Sequence, residues 1–273
     1  AGSDLAGVRT RAELASDGSG DWIVNGQKIW TSFAQHADWA ILLARTDPSL
    51  PKHKGLTFFF VDMKSSGIEA RPIRQMSGGS DFNEVFLTDV RIPDAQRLGR
   101  VGNGWTVALT TLMNERAVGT SMFPSLFSEM YALARDSDYL GQPALSHHAV
   151  RGALADWFVK SNGLKFAEYR MITAEAKGRP PGPEASITKL VTGRARQSMS
   201  SLLLDLQGGL GALQEPDMTP QNGRFQHLYL RSAGNRIEAG TDEVLRNIIA
   251  ERILGLPGDM RHDKSMPFRD IPA

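Results

Sequence analysis

Gly102-Asn103-Gly104-Trp105-Thr106-Val107-Ala108-Leu109-Thr110-Thr111-Leu112-Met113-Asn114-Glu115-Arg116 is where this chain changes its period. The two glycines close a stretch rich in strand signals. From Gly104 onward apolar residues recur at helical spacing. The chain therefore divides near residues 93–102 into a β part and a helical part. The same run carries Glu115 partway along an otherwise apolar helix. Leu109, Leu112 and Met113 form the apolar face, and Glu115, three residues after Leu112, borders it. A carboxylate there is costly to bury unless it is paired or put to use. The plain alternative is a Glu115-Arg116 neighbour pair on a solvated helix face.

Upstream of that run, Trp22-Ile23-Val24, a turn at Asn25-Gly26 and Gln27-Lys28-Ile29-Trp30-Thr31 read as a β-hairpin. Further apolar runs at 39–44, 55–61, 68–73 and 83–87 are separated by Pro, Gly and Asp. Several short strands with turns between them predict a small sandwich or barrel. Downstream, the spacing predicts helices at about 103–136, 146–177, 184–206 and 241–254. Pro180-Pro181-Gly182-Pro183 breaks the second from the third. Gly208-Gly209-Leu210-Gly211 and Gly255-Leu256-Pro257-Gly258 stop the last two. Long helices with short connections imply an antiparallel bundle. The tail after 258 is charged, carries two prolines, and is expected to wrap the surface or a partner.

Bulk properties narrow the function. The 273 residues carry a net charge of +1, so there is no broad basic footprint for nucleic acid. No apolar run reaches the roughly 18 residues of a membrane span. With no cysteine, thiolate catalysis, disulfides and Cys-ligated metal are excluded, which fits a cytoplasmic protein. The start, Ala1-Gly2-Ser3-Asp4, has no initiator Met and no signal pattern, and reads like the middle of a longer chain. There is no P-loop and no Gly-x-Ser-x-Gly elbow. His147-His148 lacks the i, i+4 spacing of metal ligands.

Three weaker motifs remain. Trp30-Thr31-Ser32 closes a strand with an indole and two hydroxyls. That suits either a strand edge with a turn, or a surface for a flat heteroaromatic ring. Ala239-Gly240-Thr241-Asp242-Glu243 reads as a helix start with Thr241 as N-cap, where free N–H groups favour an anionic atom. The cluster at Gly208-Gly209 is either a helix stop or a close approach to a ligand.

Together, Ala1-Gly2-Ser3-Asp4, Val24-Asn25-Gly26-Gln27-Lys28-Ile29-Trp30-Thr31-Ser32 and Ala239-Gly240-Thr241-Asp242-Glu243-Val244-Leu245-Arg246-Asn247 resemble the acyl-CoA dehydrogenases. The resemblance covers almost all of the chain in the right order and spacing. It implies an α+β chain: a small antiparallel β-barrel or sandwich domain at 1–97, an antiparallel four-helix bundle at 98–256, and a tail at 257–273. The family's N-terminal helical domain has no counterpart in these residues.

The resemblance also implies a reaction. FAD accepts the β-hydride of an acyl-CoA thioester at flavin N5 while a carboxylate removes the α-proton, leaving a trans-2-enoyl-CoA. An α-proton on a thioester is a very weak acid, so it needs a desolvated base and hydrogen bonds to the developing enolate oxygen. In much of the family the base is the Glu just before a Gly-Thr. Here that position is Ala239, with Glu238 one residue earlier. The isovaleryl- and long-chain-type branch instead places the base on the first bundle helix, where a Glu precedes an Arg and follows a Gly-x-Gly. Glu115-Arg116 after Gly102-Asn103-Gly104 matches that arrangement, so the resemblance makes Glu115 the base and Glu238 the reserve.

By position, Trp30, Thr31 and Ser32 would hold the isoalloxazine, and Thr241 and Glu243 would contact FAD. Gly208 and Gly209 would approach the adenine half of FAD bound by a neighbouring subunit. Ser3 and Arg116 would serve the substrate's CoA arm. The family's pyrophosphate-binding Arg-x-x-Phe-Gly element corresponds to Arg135-Asp136-Ser137-Asp138-Tyr139-Leu140-Gly141, which is longer and more acidic. The resemblance implies acyl-CoA as substrate, an electron-transfer flavoprotein as electron acceptor, and a homo- or hetero-oligomer, dimer or tetramer. Two other functions stay open. One is a non-catalytic partner in a heteromeric dehydrogenase; the other is a related flavoprotein acting on another substrate.

Overall fold

The computed structural model describes residues 1–118, 123–179, 182 and 185–272, without the side chains of 113, 115–118 and 123–126. It forms two compact units, Ala1–Leu112 with Asp259–Ala273, and Met113–Gly258.

The first unit is built on β1 (Arg11–Leu14), β2 (Trp22–Ser32), β3 (Trp39–Arg45), β4 (Leu56–Asp62), β5 (Ile68–Ile73), β6 (Phe82–Ile92) and β7 (Arg97–Leu98). They make one sheet in the order β5-β6-β2-β1-β3-β4-β7. Every pairing is antiparallel except β1 with β3, which run parallel and meet at Arg11 and Arg45. Side chains alternate across the pleat. On β4, Phe59 and Val61 join Trp22 and Val24 in one core, while Leu56 and Phe58 join Ala6, Val8 and Leu43 in another. Phe59 is fully buried, edge-on to Trp22 at 5.5 Å between ring centroids.

The expected hairpin at Asn25-Gly26 does not form; β2 runs straight through it. The pairing with β6 shifts register here: Val24 faces Val90 but Gly26 faces Leu87, so the extra residue is a bulge on β6, where Asp89 takes φ 48°. The Asn25 amide donates to Asp89 Oδ1 at 2.9 Å, and its Oδ1 accepts from the Asp89 N–H at 2.9 Å. Those bonds tie the dipeptide to the neighbouring strand. Gly26 has φ 149°, and a Cβ there would stand 2.7 Å from Thr10 Cα. Gly26→Ala is therefore expected to destabilise the fold by about 2 kcal/mol, measurable by urea unfolding.

Because β1 is short, β2 and β3 lose their common neighbour beyond it. Lys28 crosses the gap and donates to the Leu43 carbonyl at 2.8 Å. Burial brings its ammonium pKa down to about 8. This anchor sits two residues before Trp30.

The helices are α1 (Gly104–Val118), α2 (Phe123–Asp136), α3 (His148–Ala176), α4 (Ala185–Leu206), α5 (Arg224–Asn235) and α6 (Asp242–Ile248). α1 starts hard against β4. Asn103 bridges Leu56, the Gly102 N–H donates to Thr57 Oγ1 at 3.1 Å, and a Cβ on Gly104 would stand 2.7 Å from the Thr57 backbone. The buried stripe of this first half is Gly104 and Ala108. Leu109, expected on the apolar face, is 43% exposed, because i, i+4 spacing from Gly104 turns it outward.

In the second unit α2, α3, α4 and α5 share one core, with Met130, Trp157, Leu164, Met199, Leu203 and Phe225 among its residues. α5 was not expected from the sequence. It follows left-handed Gln221, Asn222 and Gly223 and has no side-chain cap, so nothing at its start announces a helix. α6 passes into a π-helical turn, Ile249–Ile253. A small hairpin of β8 (Asp138–Tyr139) and β9 (Gln142–Pro143) occupies the acidic link between α2 and α3. The tail returns to the β unit. Among the described residues no helix is long and apolar enough to cross a membrane, and no His/Asp/Glu group has the makings of a metal site.

Candidate functional site

An unusual stretch of backbone in the β unit lies at the predicted ring-binding triad. Between the Lys28–Val85 and Thr31–Asn83 pairs, β2 advances three residues while β6 advances two. The extra residue is absorbed by Ile29-Trp30, and Trp30 takes φ 61°. A bulky aromatic in the left-handed region is a true outlier. It persists where the surroundings over-determine it, commonly at functional sites. Here the fixing group is Asn83. Fully buried, its amide donates to the Thr31 carbonyl at 3.1 Å and to Gln35 Oε1. Gln35 in turn holds the Ser80 carbonyl at 2.9 Å, and the Phe33 N–H donates to the Asp81 carbonyl at 2.7 Å. The bulge turns Trp30 outward, 58% exposed, with Phe82 edge-on at 6.1 Å. The hydroxyls of Thr31 and Ser32 have no protein partner among the described residues. The site thus presents an open indole beside two free hydroxyls. Sequence reasoning found the triad and missed Asn83, whose role depends on a cross-strand partner.

Ser3 lies exposed in the opening loop, after Gly2 at φ 56°. In the second unit, Thr241 caps α6 as expected, its Oγ1 accepting from the Val244 N–H at 3.2 Å. Glu243 is largely exposed and 3.5 Å from Arg246. Between them Asp242, 3% exposed, accepts at Oδ2 from Arg236 Nε (2.9 Å) and Nη2 (2.7 Å) and from Arg194 Nε (3.2 Å). Arg236 also donates to Gln197 Oε1 at 2.8 Å. Lys189 donates to the Gly240 carbonyl at 2.7 Å. Beside this clamp a cleft of about 440 Å³ is lined by Arg194, Gln197, Ser198, Ser201, Tyr229 and Arg236. It offers mainly hydrogen-bond donors, suited to an anionic, acceptor-rich group such as a phosphate. The Arg194–Arg236–Asp242 clamp was not read from sequence; only the helical spacing of 194, 197, 198 and 201 on α4 hinted at a shared face.

Gly208 and Gly209 begin a 3₁₀ turn just past α4, with Gly208 at φ 57° and open space around both Cα atoms. Arg135 is engaged with its neighbour Asp136 through two bonds of 2.7 Å. Glu115 and Arg116 lie in α1, and their side chains fall outside the described residues. At the other candidate base position, Ala239 adopts φ 49°. Both oxygens of Glu238 are engaged, one by Arg231 and the other by the Asn235 amide at 2.5 Å.

The acyl-CoA dehydrogenase middle-domain family model matches residues 1–90, and the C-terminal-domain model matches 102–254. FadE34, an acyl-CoA dehydrogenase of Mycobacterium tuberculosis, is 39% identical over 266 residues, 94% of this chain and 34% of FadE34. The solved Tcur3481-Tcur3483 steroid ACAD superposes with a TM-score of 0.83 at 30% identity, over 95% of this chain and 66% of that one. The ChsE4-ChsE5 complex from Mycobacterium tuberculosis gives 0.81 at 30% identity, over 95% and 67%. The chain thus spans a third of FadE34 and about two thirds of the matched structures.

Proposed function

Because this chain belongs to the acyl-CoA dehydrogenase family, we propose that it forms the β-domain and helical bundle of an FAD-dependent enzyme converting an acyl-CoA thioester to a trans-2-enoyl-CoA. The observation that carries this reading is the strained, outward-facing Trp30 beside two unpartnered hydroxyls. Those groups fit a flavin: the indole gives a flat apolar platform, and Thr31 and Ser32 give hydrogen bonds to ring heteroatoms. Thr241, Glu243, Gly208 and Gly209 would serve the rest of the dinucleotide. Arg135 reaches a pyrophosphate only by leaving Asp136. When bound, the flavin accepts the β-hydride.

The chain's own part is the proton. Glu115 is proposed to remove it, with Arg116 orienting Glu115 or holding the CoA arm. Two observations support that choice over the alternatives: Ala239 cannot accept a proton, and Glu238 is already held by two partners. An electron-transfer flavoprotein as electron acceptor, a cytoplasmic location and an oligomeric enzyme belong to the same reading. A second reading is a partner subunit that leaves catalysis to another chain. The ChsE4-ChsE5 complex and the engaged Arg135 favour it.

The test is the absorbance spectrum of the full-length protein before and after adding a panel of acyl-CoAs. The panel includes steroid acyl-CoAs, since one structural relative is a steroid ACAD. A yellow protein that bleaches supports the first reading. A colourless protein that restores activity to a partner supports the second.

A further inference from the structure

The segment after Gly258 is polar, carries two prolines, and could not form a core of its own. It is nevertheless fixed to the β unit at several points, most of them on the loop 47–55. The Phe268 N–H donates to the Leu50 carbonyl at 2.9 Å and the Arg269 N–H to the Pro48 carbonyl at 3.0 Å. Pro267 bridges Pro51 in antiparallel fashion. Lys52, whose side chain is 12% exposed, lies between Asp263 at 2.7 Å and Asp4 at 3.1 Å. One lysine thus ties the tail to the opening loop.

The strongest attachment is aromatic. Arg45 ends β3, is 4% exposed, and faces no carboxylate at hydrogen-bond distance among the described residues. Its guanidinium donates to the Lys52 carbonyl at 2.7 Å, to the Ala6 carbonyl, and weakly to that of Val8 at 3.5 Å. The Phe268 ring lies against its face, 3.7 Å from Cζ to centroid. A desolvated cation over an aromatic face is a stronger contact than an exposed one. Arg45 therefore joins three pieces: the tail through Phe268, the 47–55 loop through Lys52, and the opening loop through Ala6 and Val8. That opening loop carries Ser3.

We propose that residues 259–270 act as a strap and that Phe268 is a positioning residue, which through Arg45 fixes the loop of Ser3 for the substrate's CoA arm. The substrate half of this statement rests on the acyl-CoA reading above; the strap itself does not. Without the ring, Arg45 faces water and its hold on the Ala6 and Val8 carbonyls weakens. The loop then samples more conformations, and a ligand that needs one of them binds less well in proportion.

The test uses the full-length protein with Phe268→Ala, Phe268→Tyr and Asp263→Asn. Amide exchange at Gly7 and Val8, protected here by Asp4 and Leu5 carbonyls, reads the loop without any turnover. Phe268→Ala is expected to speed that exchange about tenfold, and to raise KM for an acyl-CoA about tenfold with kcat nearly unchanged. Phe268→Tyr keeps the ring and should match wild type. Asp263→Asn removes one ionic tie and should give a smaller change in the same direction, which keeps the question answerable if Phe268→Ala does not fold. Unchanged exchange in both weakened variants overturns the strap. Faster exchange with unchanged KM in an active enzyme overturns the positioning role. Faster exchange in a protein that no acyl-CoA reduces supports the strap and removes the acyl-CoA reading.

Discussion

Glu115→Gln in the full-length protein is expected to leave FAD bound and to slow its reduction by an acyl-CoA about a thousandfold. Gln keeps the size of Glu but has no basic oxygen, and a positioned general base contributes typically 10²–10⁴-fold. The α-proton of a thioester is too weakly acidic for water to replace that base. Flavin content read by absorbance separates a binding defect from a chemical one, and stopped-flow bleaching reads the chemical step. Glu238→Gln is the control. Its carboxylate already accepts from Arg231 and Asn235, so it is engaged in structure. Losing charge there weakens an ion pair of partly exposed groups, a loss on the order of 1 kcal/mol in stability with little change in reduction. Rapid reduction by Glu115→Gln together with a dead Glu238→Gln would sink the assignment.

The sequence signals that proved readable were local and repetitive. α3 and α4 lie within two residues of the expected 146–177 and 184–206, because each combines a long helical pattern with a glycine or proline break nearby. Strands β3, β4 and β5 were bounded by turn residues and were equally legible. Two of the failures share one cause: a distant partner overrode a local signal. Asn25-Gly26 is among the strongest hairpin dipeptides, yet its bonds to Asp89 and its close seat against Thr10 hold it within a continuous strand. Leu109 belongs to an apolar run, but the seat of Gly104 against Thr57 fixes the rotation of α1 and leaves it outside. β1, only four residues long, has little pattern to read and is held by its neighbours.

The same division runs through the candidate site. Trp30, Thr31 and Ser32 are contiguous, and a contiguous motif is visible in one sequence. Asn83, which holds their strand end in place, lies 52 positions from Thr31. Arg45 and Phe268 are more than two hundred residues apart along the chain, yet the ring lies 3.7 Å from the guanidinium. Through Arg45 the opening loop is thus tied to a tail that sequence alone left as a surface wrap. The residues that would touch ligand were found first because they make short motifs; the residues that aim them are spread along the chain.

Asp242→Asn is expected to destabilise the helical unit by about 3 kcal/mol, the lower end for breaking a buried ion pair. The lower end applies because Arg194 and Arg236 are 54% and 34% exposed, so water takes up part of what they lose. The variant keeps the shape but leaves two guanidiniums facing a neutral amide at the start of α6. The effect should depend on pH with a definite sign. Burial alone would raise the Asp242 pKa, but the hydrogen bonds from Arg236 and Arg194 outweigh it and hold the carboxyl below its ordinary 3.8. A carboxyl depressed in the folded state binds fewer protons there than in the unfolded chain. Its contribution is complete above the unfolded value and is lost as pH falls through the folded one. Urea unfolding followed by helical circular dichroism should show a constant gap between wild type and variant near neutral pH. That gap should close as pH drops below about 3.8. A gap that is equal at both ends, or under about 1 kcal/mol at pH 7, would show that the clamp is a surface pair like any other. If the full gap appears, the start of α6, with Thr241 and Glu243, is held by charge rather than by packing. FAD retention in Asp242→Asn should then fall with stability, while in Glu115→Gln it stays intact.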